Sequence, residues 1–306
     1  MFKLPDGIPT LNNSAQDWAD YAEWSAITEG KINLLNLIKP SLMISDEEQV
    51  NGVEDETDKF LIKVDEISDE INQRITVGDK LYPFILENRG YNLLFKPESE
   101  ESSVLYPYLL MATRSNMSRD RIQASIDGSL LFEHVCSIVA KNYFGERAEV
   151  DILGTSKSDV QNFRNKLREI FKNIGEGGDI HENKGHKPQD DNVDVIVWKG
   201  FKDQQPSKLI AFGQCKTGTS WVERLSELNT EAFCKTWFTK QPVLTPVRMF
   251  FTAQYFPREI FRVRANEAGL VFDRFRILDY LPEDIDAEIL EKIETWTAEI
   301  KNHYLN

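Results

Sequence analysis

Two short segments of this chain carry residue types that could hold a metal ion beside a phosphodiester. Asp194 lies in the first segment, DDNVDVIVWKG, and Gln214 and Lys216 lie in the second, KLIAFGQCKTG. Both segments are rich in β-branched and aromatic residues, and residues 200–207 supply a turn, so the pattern predicts two paired strands. Side chains two residues apart share one face of a strand. Gln214 and Lys216 would therefore point the same way, with Cys215 facing the core.

The chemistry that these residue types suit is hydrolysis of a phosphodiester. A divalent metal neutralises phosphoryl oxygens and lowers the pKa of an attacking water, and Mg²⁺ takes oxygen ligands from only one or two carboxylates. Asp194 interrupts an apolar run, where a carboxylate needs a partner, so we expect it to anchor the metal. Gln214 could ligate through its carbonyl oxygen or orient a water, and Lys216 would stabilise developing negative charge. Asp190 and Asp191 could add a further carboxylate.

The elements around these segments alternate between helix and strand. Asp127 opens an apolar helix that contains Glu133 and closes at Gly145. After it, the pattern predicts a strand at AEVDILG, a basic amphipathic helix over 156–173 and a Gly-rich loop over 174–192. The two strands that carry Asp194 and Gln214 follow. The remaining predicted elements are a helix over 221–238, a strand at 247–256, a further helix and strand, and an acidic helix over 282–303. This order predicts an α/β fold, with a mixed central sheet flanked by helices.

This order of elements, together with Asp194…Gln214-Cys215-Lys216, resembles the PD-(D/E)xK nuclease superfamily over roughly residues 120–280. It is most similar to the Mrr-like branch, in which Gln replaces the acid of the motif. The resemblance implies a restriction-endonuclease-like fold and a DNA endonuclease that uses Mg²⁺ or Mn²⁺, such as the effector of a bacterial restriction or anti-phage system. It implies catalytic roles for Asp194, Gln214, Lys216 and Glu133, and metal ligation by Asp194, Gln214 and Glu133.

Other interpretations stay open at this point. Gln214 carries no charge, so the chain could instead be a catalytically degenerate nuclease-fold protein that acts as an interaction or regulatory subunit. Cleavage of RNA on the same scaffold is a third hypothesis. His181 and His186 in the Gly-rich loop could bind a metal, but their spacing is more typical of solvated loop residues. The apolar surroundings of the three cysteines predict buried core positions.

Candidate contacts to the DNA backbone lie on one helix and in one turn. The basic helix carries cations opposite its apolar face, and the turn after Lys216 offers two hydroxyl groups. These candidates are Arg164, Lys166, Arg168, Lys172, Thr217 and Thr219. A solvated helix face and a tight helix-capping turn explain the same residues without DNA.

Charge divides the chain into regions of different character. The net charge is −14, but residues 1–110 carry −12 and residues 111–280 carry +3. We therefore expect a mostly helical acidic domain over 1–117 and the nuclease domain over 118–306. An acidic domain beside a DNA-binding one suggests a protein partner. No apolar run reaches the ~18–20 residues of a membrane span, and three widely spaced cysteines fit a reducing cytoplasm.

Within the acidic region, the pattern predicts three helical segments and a loop. The first segment covers residues 14–43: Ser14 caps its first helix, and its second apolar stretch should stop at Pro40. Residues 45–58 are acidic and predict a solvated loop. Helical periodicity returns over 59–76, and residues 104–117 predict a buried helix.

Overall fold

The computed structural model of the chain describes residues 2–45, 53–154, 160–182 and 191–305. The chain forms two compact units: unit 1 comprises Met1–Ile126 with Ala287–Asn306, and unit 2 comprises Asp127–Asp286. These boundaries differ from the expected division into 1–117 and 118–306. The final helix, predicted as part of the nuclease domain, packs instead with the acidic N-terminal region.

Unit 1 consists of helices and one small sheet. Its helices are α1 Ala15–Glu29, α2 Leu34–Ser45, α3 Val53–Gly78, α4 Glu100–Arg114 and the C-terminal helix Ala287–Leu305. Its strands are β1 Lys31–Asn33, β2 Phe84–Glu87 and β3 Asn92–Phe95, and the two-residue strands β4 Ile122–Gln123 and β5 Ile126–Asp127 pair at its border with unit 2. β3 is the central strand of an antiparallel three-stranded sheet.

The first helix of unit 1 is built as the sequence predicts. The Ser14 side chain accepts a hydrogen bond from the backbone N–H of Asp17, which satisfies one of the free amides of the first turn. Trp18, Ala22 and Ala26 are spaced by four residues and are fully buried. Burial of this face against α3 and α4 holds the helix in place.

Two predictions for unit 1 are wrong. Helix α2 does not stop at Pro40, because Pro40 lies inside it and Ile38 and Ser41 on either side are buried. Residues 53–58 of the acidic segment form the start of α3 rather than a loop, while residues 46–52 lie outside the described residues. The helix is held further along by Val64, Ile67 and Ile71, which are fully buried, so the local acidity does not prevent it from starting earlier.

A buried charge network joins the helices of unit 1. The Arg74 guanidinium is fully buried and contacts Asp20 at 2.5 Å, Glu23 at 2.6 Å and Glu70 at 2.8 Å. The Arg114 guanidinium contacts Asp20 and Asp17, each at 2.6 Å. Asp20 therefore bridges the two arginines and ties α1 to both α3 and α4.

Unit 2 is a five-stranded mixed sheet with helices packed against it, as the sequence predicts. Its strands are β6 Ala148–Ile152, β7 Val195–Lys199, β8 Leu209–Lys216, β9 Val247–Thr252 and β10 Leu270–Phe272. Its helices are α5 Gly128–Phe144, α6 Val160–Ile174, α7 Thr230–Trp237, α8 Arg258–Ala268 and α9 Arg274–Asp279. The strand order is β10-β9-β8-β7-β6; β6, β7 and β8 run antiparallel, and β8, β9 and β10 run parallel.

Alternate residues of β7 and β8 reach opposite faces of the sheet. Ile196 and Phe212 pack in a core formed with the apolar faces of α6 and α7. On the other face, α5 covers β6, β7 and β8. The end of β8 therefore lies between two helical layers, and Cys215 faces α5 whereas Gln214 and Lys216 face the side of α7.

Only part of the predicted helix over 221–238 is helical. A 3-10 turn covers Trp221–Arg224, and α7 begins only at Thr230. The Asn229 side chain accepts a hydrogen bond from the N–H of Ala232 at 2.9 Å, and asparagine at this position favours starting a new helix. Among the described helices, none is both long and apolar enough to cross a membrane.

Candidate active site

The start of β7 and the end of β8 meet because the two strands are antiparallel, with Val195 opposite Gly213. Asp194 lies directly before β7 and is 8% exposed. Its Oδ2 accepts a hydrogen bond from the backbone N–H of Cys215 at 2.7 Å. The structure thus brings Asp194 beside the Gln214-Cys215-Lys216 segment, at one edge of the sheet.

Glu133 reaches the same edge from α5. Leu153 follows β6 and its N–H donates to the carbonyl oxygen of Asp194 at 2.8 Å, so the next residue, Gly154, lies close to Asp194. A Cβ atom on Gly154 would lie only 1.6 Å from Oε2 of Glu133. The carboxylate of Glu133 therefore occupies the space that a side chain at position 154 would fill.

Two thiols lie near these carboxylates. Cys136 and Cys215 are hydrogen-bond partners, and the Cys215 thiol is buried although the residue as a whole is half-buried. Burial raises the pKa of the Cys215 thiol well above its ordinary value, with further contributions from Cys136 and from the charges of Asp194 and Glu133. Burial also raises the pKa of Cys136, and the same two carboxylates add to the effect. Both thiols therefore stay protonated, and the negative charges of Asp194 and Glu133 raise the pKa of each.

Gln214 is fully buried, and its two amide atoms have different environments. Nε2 donates a hydrogen bond to Oε2 of Glu227 at 3.0 Å. Within the described parts of the chain, Oε1 is buried and accepts no hydrogen bond. An acceptor left in this state costs roughly 1–3 kcal/mol, and a bound cation would remove that cost.

Glu227 is a member of the site that the sequence analysis missed. Nζ of Lys216 lies 3.8 Å from its Oε2, and the Arg224 guanidinium contacts its Oε1. Burial raises the pKa of Glu227, but hydrogen bonds from Arg224 and Gln214 and the charges of Lys216 and Arg224 outweigh burial and lower it below 4.5. Glu227 lies in an irregular segment between Arg224 and α7, so no periodicity or motif spacing connects it with β8.

The donors at this edge are compatible with a hard divalent cation. Asp194 and Glu133 supply carboxylates and Gln214 supplies an amide oxygen without a donor, and oxygen ligands are those that Mg²⁺ prefers. The described residues contain no group of three or more His, Cys, Asp or Glu side chains placed to hold a metal. A metal here would therefore depend on the Gln214 oxygen.

The candidate DNA contacts on α6 are partly engaged within the protein. Lys166 forms an ion pair with Asp151, and Arg168 contacts Asp179 at 3.1 Å. Lys172 is exposed and Arg164 is half-buried. Two of the four cations thus hold α6 to neighbouring segments, which is a structural role that the sequence pattern does not reveal.

The turn after Lys216 stays non-helical and half-buried. Thr217 and Thr219 flank Gly218, whose φ of +77° favours glycine. A side chain at position 218 would meet no atom within 4 Å. This turn therefore leaves open space beside Lys216.

The other acidic and histidine candidates that the structure describes are Asp191 and His181. Oδ2 of Asp191 accepts a hydrogen bond from the indole N–H of Trp237 at 2.7 Å. His181 is exposed, and Asp190 and His186 lie outside the described residues.

The fold and the site together give a mixed α/β unit with three carboxylates, an amide and a lysine at one sheet edge. Comparison of the chain with protein-family models, curated proteins and solved structures finds no match.

Proposed function

We propose that unit 2 is a metal-dependent DNA endonuclease with a restriction-endonuclease-like, PD-(D/E)xK-type architecture. The observation that carries this proposal is that Asp194 and Glu133 lie beside the end of β8, the strand that carries Gln214 and Lys216. Three different elements contribute these residues, although they lie up to 83 positions apart in sequence.

Asp194, Glu133 and the Gln214 oxygen would hold Mg²⁺ or Mn²⁺. When bound, such an ion neutralises phosphoryl oxygens and makes water a stronger nucleophile. Asp194 is held for this task by the backbone N–H of Cys215, and Gln214 is held by Glu227. The chain therefore fixes two of the three ligands before any metal arrives.

Lys216 would stabilise the negative charge that develops on the cleaved phosphate. Its ammonium lies 3.8 Å from Glu227, a loose ion pair, and its side chain is 27% exposed. A phosphate entering beside the open turn at Gly218 would compete for this ammonium. Lys216 can thus contact substrate without any change in the strand.

The proposed setting is a bacterial restriction or anti-phage effector acting in the cytoplasm. The acidic charge of residues 1–110, −12 in total, supports a protein partner for unit 1 rather than direct contact with DNA. DNA would bind at unit 2.

The test is nicking of supercoiled plasmid by the full chain with Mg²⁺ or Mn²⁺. Lys216→Met and Asp194→Asn should each lower the cleavage rate by about 10²-fold or more. Lys235→Met should leave it unchanged, because that side chain is 69% exposed and pairs with Glu231. Cleavage by Lys216→Met at the wild-type rate would overturn the proposal.

One observation favours a second candidate, a nuclease-fold protein without catalytic activity. Glu227 already pairs with Lys216 and accepts a hydrogen bond from the amide of Gln214. The polar groups at this edge are therefore partly paired with one another without a metal or a substrate. This alternative predicts no plasmid cleavage and no heat of Mn²⁺ binding by calorimetry. Metal-dependent nicking that Asp194→Asn abolishes would exclude it.

A further inference from the structure

A cleft lies at the end of the central sheet opposite to the candidate active site. Asp194 precedes the first residue of β7, whereas the cleft is formed by residues at the end of β7, the turn after it and the start of β6. Five strand residues span roughly 17 Å, so the cleft is separate from the candidate active site. Its volume is about 210 Å³.

Lys208 is the most unusual residue that lines this cleft. It is 2% exposed, and its ammonium donates to the carbonyl oxygen of Ile174. Among the described residues, no carboxylate lies within 4.0 Å of that ammonium. A lysine ammonium has three N–H donors, and a buried charge without a counter-ion is costly. The site therefore favours an anion.

The nearest buried carboxylate does not neutralise Lys208. Oε1 of Glu176 accepts the backbone N–H of Lys208 at 2.8 Å, and Oε2 accepts the backbone N–H of Val243 at 2.9 Å. Both oxygens are thus directed at main-chain amides. Among the described residues, Ile174 is the one acceptor of the Lys208 ammonium, so two of its three N–H donors have no partner there.

Because Gly200 and Gly175 have no side chains, there is space beside them for the Lys208 side chain. A Cβ on Gly200 would be 3.4 Å from its Cε, and a Cβ on Gly175 would be 3.2 Å from its Nζ. The contact at Gly175 would be tight and the contact at Gly200 ordinary, so the Lys208 side chain lies against the backbone of both glycines. The ammonium is therefore a positioned donor rather than a mobile surface charge.

The rest of the cleft adds positive charge and aromatic surface. Arg147 and Lys202 are exposed and, within the described chain, form no ion pair, and Glu149 is the one acid in the lining. Phe201 is 61% exposed at the rim, and Trp198 forms a buried wall. Cations beside an exposed aromatic ring suit a phosphate that carries a stacking base.

We propose that this cleft binds a nucleoside phosphate. Lys208, Arg147 and Lys202 hold the phosphate, and the base stacks on Phe201. The cleft is smaller than the ~300–1,000 Å³ of a pocket that encloses a whole drug-sized ligand, so it takes the phosphate and leaves the base at the rim.

Calorimetry on the full chain without divalent metal tests this site, with ADP, adenosine and inorganic phosphate as probes. We expect ADP to bind at least tenfold more tightly than either of the other two. Lys208→Met should weaken ADP and phosphate at least tenfold, whereas Phe201→Ala should weaken ADP about tenfold and leave phosphate unchanged. Lys235→Met serves as a charge-matched control and should bind ADP as the wild type does.

The results that overturn the proposal are specific. They are absence of ADP binding, equal affinity for ADP and inorganic phosphate, or unchanged ADP affinity in both Lys208→Met and Phe201→Ala. Thermal denaturation checks that Lys208→Met folds. Should it not, Phe201→Ala and Lys202→Met still decide the matter, because both side chains are exposed.

Discussion

Nε2 of Gln214 donates a hydrogen bond to Oε2 of Glu227 at 3.0 Å, across 13 positions of sequence. The same Glu227 oxygen lies 3.8 Å from Nζ of Lys216. One carboxylate therefore sets the orientation of the amide and the resting position of the ammonium. With its N–H group held by Glu227, the Gln214 amide directs its oxygen the other way.

Glu227→Ala should weaken Mn²⁺ binding, because the Gln214 amide is then free to rotate. Removal of a residue that orients a metal ligand typically costs 10–100-fold in affinity, so we expect a loss of about tenfold in calorimetry. Glu227→Gln keeps an acceptor for Gln214 and should restore most of the affinity. Glu223→Ala, in the same segment but exposed, is the control; an equal loss there would show that Glu227 has no particular role.

Gly154→Ala should impair cleavage with little effect on folding. The new methyl group displaces the Glu133 carboxylate, whose Oε2 would be 1.6 Å away, and the flexible end of a glutamate can move at small cost. We expect plasmid nicking to fall at least tenfold while the urea midpoint stays close to that of the wild type. Gly200→Ala meets only ordinary contacts of 3.4 Å or more and should cleave normally. Normal nicking by Gly154→Ala would remove Glu133 from the proposed site.

Arg74→Met should destabilise unit 1 strongly. It leaves Asp20, Glu23 and Glu70 buried without their shared cation, and loss of one partner from a buried ion pair costs about 3–5 kcal/mol. Urea denaturation at pH 7 measures the change. Lys31→Met breaks an exposed pair with Glu87 and should cost about 1 kcal/mol at most. A loss of free energy of unfolding as small as this for Arg74→Met would show that the buried charge network contributes little to the stability of unit 1.

Asp17 should make the stability of unit 1 depend on acid pH. Burial raises the pKa of Asp17, but the charge of Arg114 and hydrogen bonds from Arg114, Phe2 and Asn13 outweigh burial and lower it below 3.8. Because the folded pKa is lower than the unfolded one, this stabilisation is complete above the unfolded value and is lost as the pH falls through the folded value. Asp17→Asn should therefore lower the free energy of unfolding at pH 7, and the difference from wild type should shrink below about pH 4. A constant difference in urea titrations from pH 7 to pH 2 would refute this.

Local signals predicted most elements of unit 2. Asp127 does cap α5, with its side chain accepting the N–H groups of Ser129 and Leu130, and Gly145 does end that helix. The two strands around residues 200–207 pair as their β-branched pattern predicts. These features depend on neighbours in sequence, which is why the sequence reveals them.

The features that sequence reasoning missed depend on distant contacts. Pro40 stays within α2 because Ile38 and Ser41 beside it are buried, which no local pattern records. Glu227 joins the site only because an irregular segment lies against the end of β8. The basic face of α6 predicts a DNA contact at Lys166, but its partner Asp151 lies on a separate strand.

The C-terminal helix completes unit 1, and it is synthesised only after the whole of unit 2. Its Trp296 indole donates to the carbonyl oxygen of Arg121 at 2.9 Å, and its Tyr304 hydroxyl donates to Asp120. On the ribosome, unit 2 emerges as one contiguous stretch, Asp127–Asp286, while unit 1 still lacks its last helix. A translation product that ends just before Ala287 would carry every residue of the candidate active site beside an unfinished acidic unit.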